Sequence, residues 1–366
     1  MHYYSLFLVA HYERILLFRS RVFVILSFFV IGIILFFNLW VYSVLNVPSY
    51  EIPPSGYIFE ELETTWRRFA SYREGLIFLP AAMPYVNAVL FSVLQSFIII
   101  FLAGNFLSRN RKCTSNEAFD VRPIANGEYI WGKGLGVVYL LTTLNVMVVL
   151  LVFVINLFGS VQPCSVWLYL FYFFTLTLPS LLFMTGCTIL VKSFIKSEFL
   201  GVLFLLSFLV VNILVIGKIY HGVADFLALR VPNLFSTIIG HPGIGSYLLQ
   251  RFIFVLLGFV GIYFAIVLSK RIPGNRESKK LNVFRGSVML GGVLVLMTCF
   301  IMPFYLIREN RAAYTVTYVK YNKYPKMNTR SHDILFRQDG KQYSATSYMM
   351  LENRHDRVID TLILYL

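Results

Sequence analysis

Charge is scarce in this sequence. Only 14% of its 366 residues are Asp, Glu, Lys or Arg, where a water-soluble domain carries roughly 25%. With 58% hydrophobic residues and a mean hydropathy of +0.70, a water-soluble core cannot hide the apolar surface. Lipid must be the solvent, so the chain reads as an integral, multi-pass membrane protein.

Cysteine is sparse too. Cys113, Cys164, Cys187 and Cys299 are scattered, with no C-x-x-C pair, which excludes a metal cluster of that kind and a disulfide framework. The sequence contains no H-E-x-x-H, so it offers no such zinc peptidase centre. His332, Asp333, His355 and Asp356 read as surface and turn residues. The amino terminus has no basic start, and His11, Glu13 and Arg14 interrupt its first apolar stretch, unlike a secretory signal. Residues 1–21 read as an amphipathic helix on the membrane surface, with Arg14, Arg19 and Arg21 toward the headgroups.

What the sequence has in quantity is long uncharged runs: Val22–Leu45, Ala81–Leu107, Phe199–Gly217, Phe252–Ser269 and Gly286–Ile307. Gly134–Val191 is free of charge throughout and divides at Gly159-Ser-Val-Gln-Pro163 into two spans. Seven spans result, each near the roughly 20 residues a bilayer requires. The expected fold is an all-α polytopic membrane protein. It comprises a six-span core over 22–270, a linker and seventh span over 271–307, and a short, partly β tail over 308–366.

Basic residues set the orientation. Segments 1–21, 108–133, 192–198 and 270–285 hold three, five, two and six Lys and Arg, against three, none and two in 46–80, 159–164 and 218–246. The richer side is the cytoplasmic one. This places the amino terminus inside and the tail outside. The net charge of +14 therefore marks cytoplasmic loops, and nucleic acid is not an expected partner.

Three non-spanning pieces carry a pattern. YIFEELETTWRRFASYREG, in the first outer loop, reads as a short surface helix. KIYHGVADFLALRVPNLFSTIIGHPG is too apolar for a free loop: Leu227, Leu229, Leu234, Phe235, Ile238 and Ile239 want burial, while Pro232, Gly240 and Pro242 forbid one long helix. Short re-entrant helices fit it. The tail turns polar and strand-like from about Ala312. There HDILF, YSATSYMML and VIDTLILYL read as strands, the last two suggesting a hairpin around ENRHDR. Since a hairpin alone is marginal in water, the tail reads as an accessory element or as the start of something longer.

Gly127-Glu-Tyr-Ile-Trp-Gly132-Lys133-Gly134 nearly spells a phosphate-binding loop, G-x-x-x-x-G-K-[ST]. The interior is bulky and acidic, Gly134 replaces the hydroxyl, and no strand precedes it. A different reading fits better. Thr114-Ser-Asn-Glu117 is a capping box opening a short helix to about Asp120. Val121-Arg-Pro-Ile124 breaks that helix, and Asn126 caps the next one. Tyr129, Trp131 and Lys133 then sit at interfacial depth.

This loop resembles that of the type-2 ABC exporter permeases, whose coupling helix is followed by a pattern close to R-P-I-x-x-x-E-Y-I-x-G-K-x-L-G. The matching residues are Arg122, Pro123, Ile124, Glu128, Tyr129, Ile130, Gly132, Lys133, Leu135 and Gly136. The likeness covers roughly residues 1–270. It implies a non-catalytic permease subunit in a bacterial inner membrane, paired with a second permease protomer, identical or homologous. Its energy comes from a separate ABC ATPase that binds ATP and magnesium; this chain itself binds no cofactor. The implied docking residues are Thr114, Asn116, Glu117, Phe119, Asp120, Arg122 and Pro123, with Gly127, Glu128, Tyr129, Gly132 and Lys133 as a hinge at the interface.

YSATSYMMLENRHDRVIDTLILYL resembles the opening strands of zinc aminopeptidases, and some permeases of this class are fused to such a domain. A membrane anchor for an outer aminopeptidase-like domain is therefore the alternative function.

Polar residues inside the spans are Asn87, Ser92, Gln95 and Ser96 in the second, Thr142, Thr143 and Asn145 in the third, and Asn212 in the fifth. They can hydrogen-bond between helices or line a transport path. No Asp, Glu, Lys or Arg falls within the spans as delimited. That disfavours an ion-coupled transporter, which needs ionisable groups there.

Overall fold

The computed structural model describes residues 3–43, 81–106, 124–159, 165–195, 197–231, 235, 240–241, 243–269, 276–322, 324, 327–339, 342–354 and 358. The elements are α1 (Tyr3–Phe18), α2 (Arg21–Ser43), α3 (Ala82–Phe106), α4 (Asn126–Gly159), α5 (Val166–Tyr172), α6 (Leu178–Phe194), α7 (Glu198–Leu214), α8 (Ile244–Leu268), α9 (Arg276–Tyr321), β1 (Asn328–Asp339) and β2 (Gln342–Glu352). A π-turn over Phe173–Thr177 joins α5 to α6, and a 3₁₀ segment over Ile216–Gly222 follows α7.

Among the described residues, six helical stretches are long and apolar enough to cross a membrane: Arg21–Tyr42, Ala82–Leu102, Asn126–Gly159, Val166–Phe194, Ile244–Leu268 and Lys279–Tyr321. A seventh is reached if α7 and the 3₁₀ segment, bent by 49°, form one span. Each overlaps one of the seven uncharged runs, with boundaries that differ.

Two compact units divide between Phe300 and Ile301, a point within α9. In the first unit, the core runs along α2, α3, α4, α6, α7 and α8, with Ile34, Ile98, Leu141, Met184, Leu205 and Ala265 at its centre. The α6–α8 pair is the most extensive helix contact, and glycine makes it possible. A Cβ added at Gly186 would lie 2.1 Å from the Gly258 carbonyl oxygen, and one at Gly258 would lie 2.6 Å from that of Leu182. Backbones meet directly there, as small residues permit between membrane helices.

The π-turn has a local cause. Pro179 has no N–H to continue an α-helical ladder. Just before it, the Leu178 N–H reaches back to the Phe173 carbonyl, one residue further than in an α-helix.

In the second unit, α9 continues to Tyr321, beyond the expected end of the seventh span at Ile307. The strand-like expectation is corrected for residues 312–321 and holds for Asn328–Asp339 and Gln342–Glu352. RENRAAYTVTYVKY holds no Gly or Pro to stop the helix, and Thr315 and Thr317 bond back to the Arg311 and Ala313 carbonyls. A hairpin is present. β1 pairs antiparallel with β2, with Asp339 opposite Gln342, Phe336 opposite Ala345 and Asn328 opposite Glu352. The pairing expected around ENRHDR involves residues 358–366, of which all but Val358 lie outside the described residues.

Candidate functional site

The phosphate-loop look-alike is helix. From Asn126 to Gly159 the backbone is a single α-helix, so Gly127–Gly134 cannot wrap successive N–H groups around a phosphate. The first helical bond runs from the Tyr129 N–H to the Ala125 carbonyl at 3.0 Å. Ala125 therefore occupies the cap position, and Asn126 is the first helical residue.

The same stretch is the seat of α1. Cβ atoms built on Gly132 and Gly136 would meet α1 at 2.7 Å from Val9 Cβ and 2.8 Å from the Ala10 carbonyl oxygen. Spaced by four, the two glycines share a helix face and let α1 lie against α4. Polar links flank them. Ser5 Oγ donates to Glu128 Oε2 at 2.7 Å, and Lys133 Nζ lies 3.9 Å from Glu13 Oε2. Lys133 also stacks over the Tyr129 ring at 4.9 Å.

The interfacial reading of Lys133 is thereby corrected. It is 3% exposed, and its head faces Glu13, because α1 covers the surface where headgroups were expected. Glu128 is buried as well. Trp131 packs on Phe259 and Tyr263 of α8. Gly127 is loosely surrounded, with Ile266 Cδ1 4.0 Å from a built Cβ. Of the anticipated docking and hinge residues, the structure gathers Glu128, Tyr129, Gly132 and Lys133 around α1. Thr114, Asn116, Glu117, Phe119, Asp120, Arg122 and Pro123 lie outside the described residues, as do Leu234, Ile238, Ile239 and the surface helix in the first outer loop.

The polar residues of the spans form hydrogen bonds in the interior. Asn87 of α3 pairs reciprocally with Asn38 of α2, at 2.7 and 3.1 Å. Gln95 Nε2 donates to the Thr177 carbonyl and Asn145 Nδ2 to the Thr177 hydroxyl, so α3 and α4 converge on the π-turn. Ser92 and Ser96 bond back within α3, to the Ala88 and Ser92 carbonyls. Asn212 donates to the Ala224 carbonyl. Thr143 bonds to its own helix at Tyr139. Asn38, Asn156 and Thr177 were not singled out from the sequence. Asn156 links Tyr42 of α2 and Tyr169 of α5.

A second site corrects the uncharged-span reading. α8 begins at Ile244 and not Phe252, so it includes Arg251, which is 2% exposed. Its guanidinium donates to the Phe226 carbonyl at 2.8 Å, to the Asp225 carbonyl at 2.8 Å and to Gln250 Oε1. Gln250 Nε2 donates to the carbonyls of Gly222 and Asp225. The Asp225 carboxylate accepts from the backbone N–H groups of Leu227 and Arg230. Ser180 of α6 adds a bond to the Phe226 carbonyl.

This network holds the segment expected to be re-entrant. Val223, Phe226, Leu227 and Ala228 are buried and Leu229 is half-buried, as the apolar pattern demanded. Its backbone is 3₁₀ and irregular, however, not α-helical. Tyr220, His221 and Ala228 have positive φ, which costs an L-residue about 1 kcal/mol each. The hydrogen bonds from α8 tie down the backbone between them, at the carbonyls of Gly222, Asp225 and Phe226. Buried irregular backbone persists where protein satisfies its polar groups.

Among the described residues no cluster of His, Cys, Asp and Glu has metal-binding geometry. Comparison with models of known protein families finds no match, and comparison with curated protein sequences finds none either.

Proposed function

We propose that this chain is the membrane-spanning permease subunit of an ATP-driven exporter of the type-2 class. A separate ABC ATPase docks on residues 113–122 and supplies ATP and magnesium. Two permease protomers, identical or homologous, enclose the path. The amino terminus faces the cytoplasm of a bacterial cell and the tail faces outward.

The observation that supports this reading most is the α1–α4 pair. The proposed docking segment leads straight into α4, and α4 is joined to α1 through Gly132, Gly136, Glu13–Lys133 and Ser5–Glu128. A push on the loop moves two helices together instead of being lost in a flexible hinge. The polar side chains Asn87, Gln95, Asn145 and Asn212 act in this reading as bonds that keep the helices in register within one protomer.

The test is purification from native membranes in mild detergent. Co-purification of a nucleotide-hydrolysing subunit supports the proposal, and a chain that reproducibly purifies without one overturns it.

The alternative function, an anchor for an outer aminopeptidase-like domain, draws on the tail. Residues 301–366 form their own compact unit, and the hairpin exposes Ile334, Leu335, Phe336, Tyr348 and Met350. Removal of 308–366 separates the readings: the permease keeps its ATPase, whereas an anchor loses its outer partner.

A further inference from the structure

Residues 270–285 contain six Lys and Arg and a single acidic residue, Glu277. α9 opens inside this segment. Its first turn sets Arg276 and Lys279 against Glu277, so it lacks the net negative charge that favours a helix N-terminus. Lys279 and Lys280 are exposed, and they line one open groove with Val283, Phe284 and Ser287. Phe284 is 65% exposed, beside two cationic heads. Gly286 faces the protein instead: a Cβ there would lie 3.4 Å from Tyr263 Cβ and 3.5 Å from the Phe264 ring. Gly286 is thus where α9 touches the end of α8, and the basic and apolar groove lies on α9 around and before that contact.

We infer that this groove binds an anionic phospholipid, with Lys279 and Lys280 on the headgroup phosphate and Val283 and Phe284 beside the first acyl methylenes. A soluble anion would use the lysines and leave the apolar side chains in water. An acidic protein surface would do the same. A phospholipid joins charge and hydrocarbon in the order in which the groove presents them. Basic clusters next to a span attract anionic headgroups on general electrostatic grounds; the groove adds a defined place. The inference rests on α9 spanning the membrane and needs no ATPase partner, so it can fail while the transport reading stands.

The experiment uses the full-length chain in phosphatidylcholine bilayers and compares spin-labelled phosphatidylglycerol with spin-labelled phosphatidylcholine. A lysine near headgroup level contributes roughly fivefold. The wild-type preference for phosphatidylglycerol is therefore expected to lie between about fivefold and about thirtyfold. It should fall to about one in K279Q/K280Q, persist in K279R/K280R, and weaken in 1 M salt. The charge-matched control K320Q/R330Q, on exposed residues of the second unit, should leave it unchanged. Four results would overturn the inference: no preference in the wild type, an unchanged preference in K279Q/K280Q, an equal loss in the control, or displacement by inorganic phosphate as effective as by phosphatidylglycerol. If K279Q/K280Q fails to insert, the wild-type salt response decides, and a preference indifferent to salt overturns the inference.

Discussion

Four glycines in ANGEYIWGKGLG give a test in which the same substitution must have opposite effects. Gly→Ala inside a helix gains about 0.5–1 kcal/mol from backbone entropy. At Gly136 the new Cβ would lie 2.8 Å from the Ala10 carbonyl oxygen and 2.9 Å from Glu13 Cβ. Neither α1 backbone nor a Cβ can step aside without moving the helix. Overpacking of that kind costs about 1–3 kcal/mol, so Gly136→Ala should lose up to about 2.5 kcal/mol net. Gly132→Ala faces Val9 Cβ at 2.7 Å and should behave alike. Gly134→Ala meets only the tip of Ile189 at 3.3 Å, and Gly127→Ala meets Ile266 Cδ1 at 4.0 Å. These two should be neutral or slightly stabilising. Thermal unfolding in detergent reads the series. A cysteine in α1, probed for accessibility, reports whether α1 has left α4. Equal stability of Gly136→Ala and Gly134→Ala, with α1 equally protected in both, would refute the packing argument.

Three further outcomes follow. Arg251→Met should cost about 3–5 kcal/mol by leaving buried polar groups unpaired and should expose 218–231 to protease. Arg230→Gln, at an exposed side chain, should stay within about 0.5 kcal/mol; matching melts for the two would remove the clamp. Lys133→Arg should destabilise by about 1–3 kcal/mol, since a larger planar head must enter a filled site. A Lys133→Arg protein that melts with the wild type would return Lys133 to the headgroups. Single cysteines at Ser115 and Arg276 should label only from the cytoplasm, and one at Lys341 only from outside. Cytoplasmic labelling at Lys341 would invert or shorten the topology.

The spans were legible because uninterrupted apolar runs leave few alternatives. Their boundaries failed wherever a charge is buried. A hydropathy reading ends a span at Arg251, because the carbonyls of Asp225 and Phe226 that satisfy it lie far away in sequence. Lys133 was misplaced for the same reason: its partner Glu13 is on another helix. Asn38 and Asn156 carry no periodic signal, and only the fold brings each to its partner. The hairpin did leave a mark. Asp339-Gly340 is a turn signal between two strand-like runs. The glycines of ANGEYIWGKGLG were read for the loop they nearly spell, although their four-residue spacing at 132 and 136 points to helix packing. The docking segment 113–122 rests on sequence resemblance alone.

That segment is where the account is most directly tested. A photoactivatable amino acid at Phe119, introduced into the full-length chain and irradiated in native membranes, reports what touches the loop. The transport reading predicts one dominant adduct, a protein bearing a nucleotide-binding loop of its own, formed from Phe119 and not from Lys341. Adducts with lipid only, or with the same protein from both positions, would contradict it.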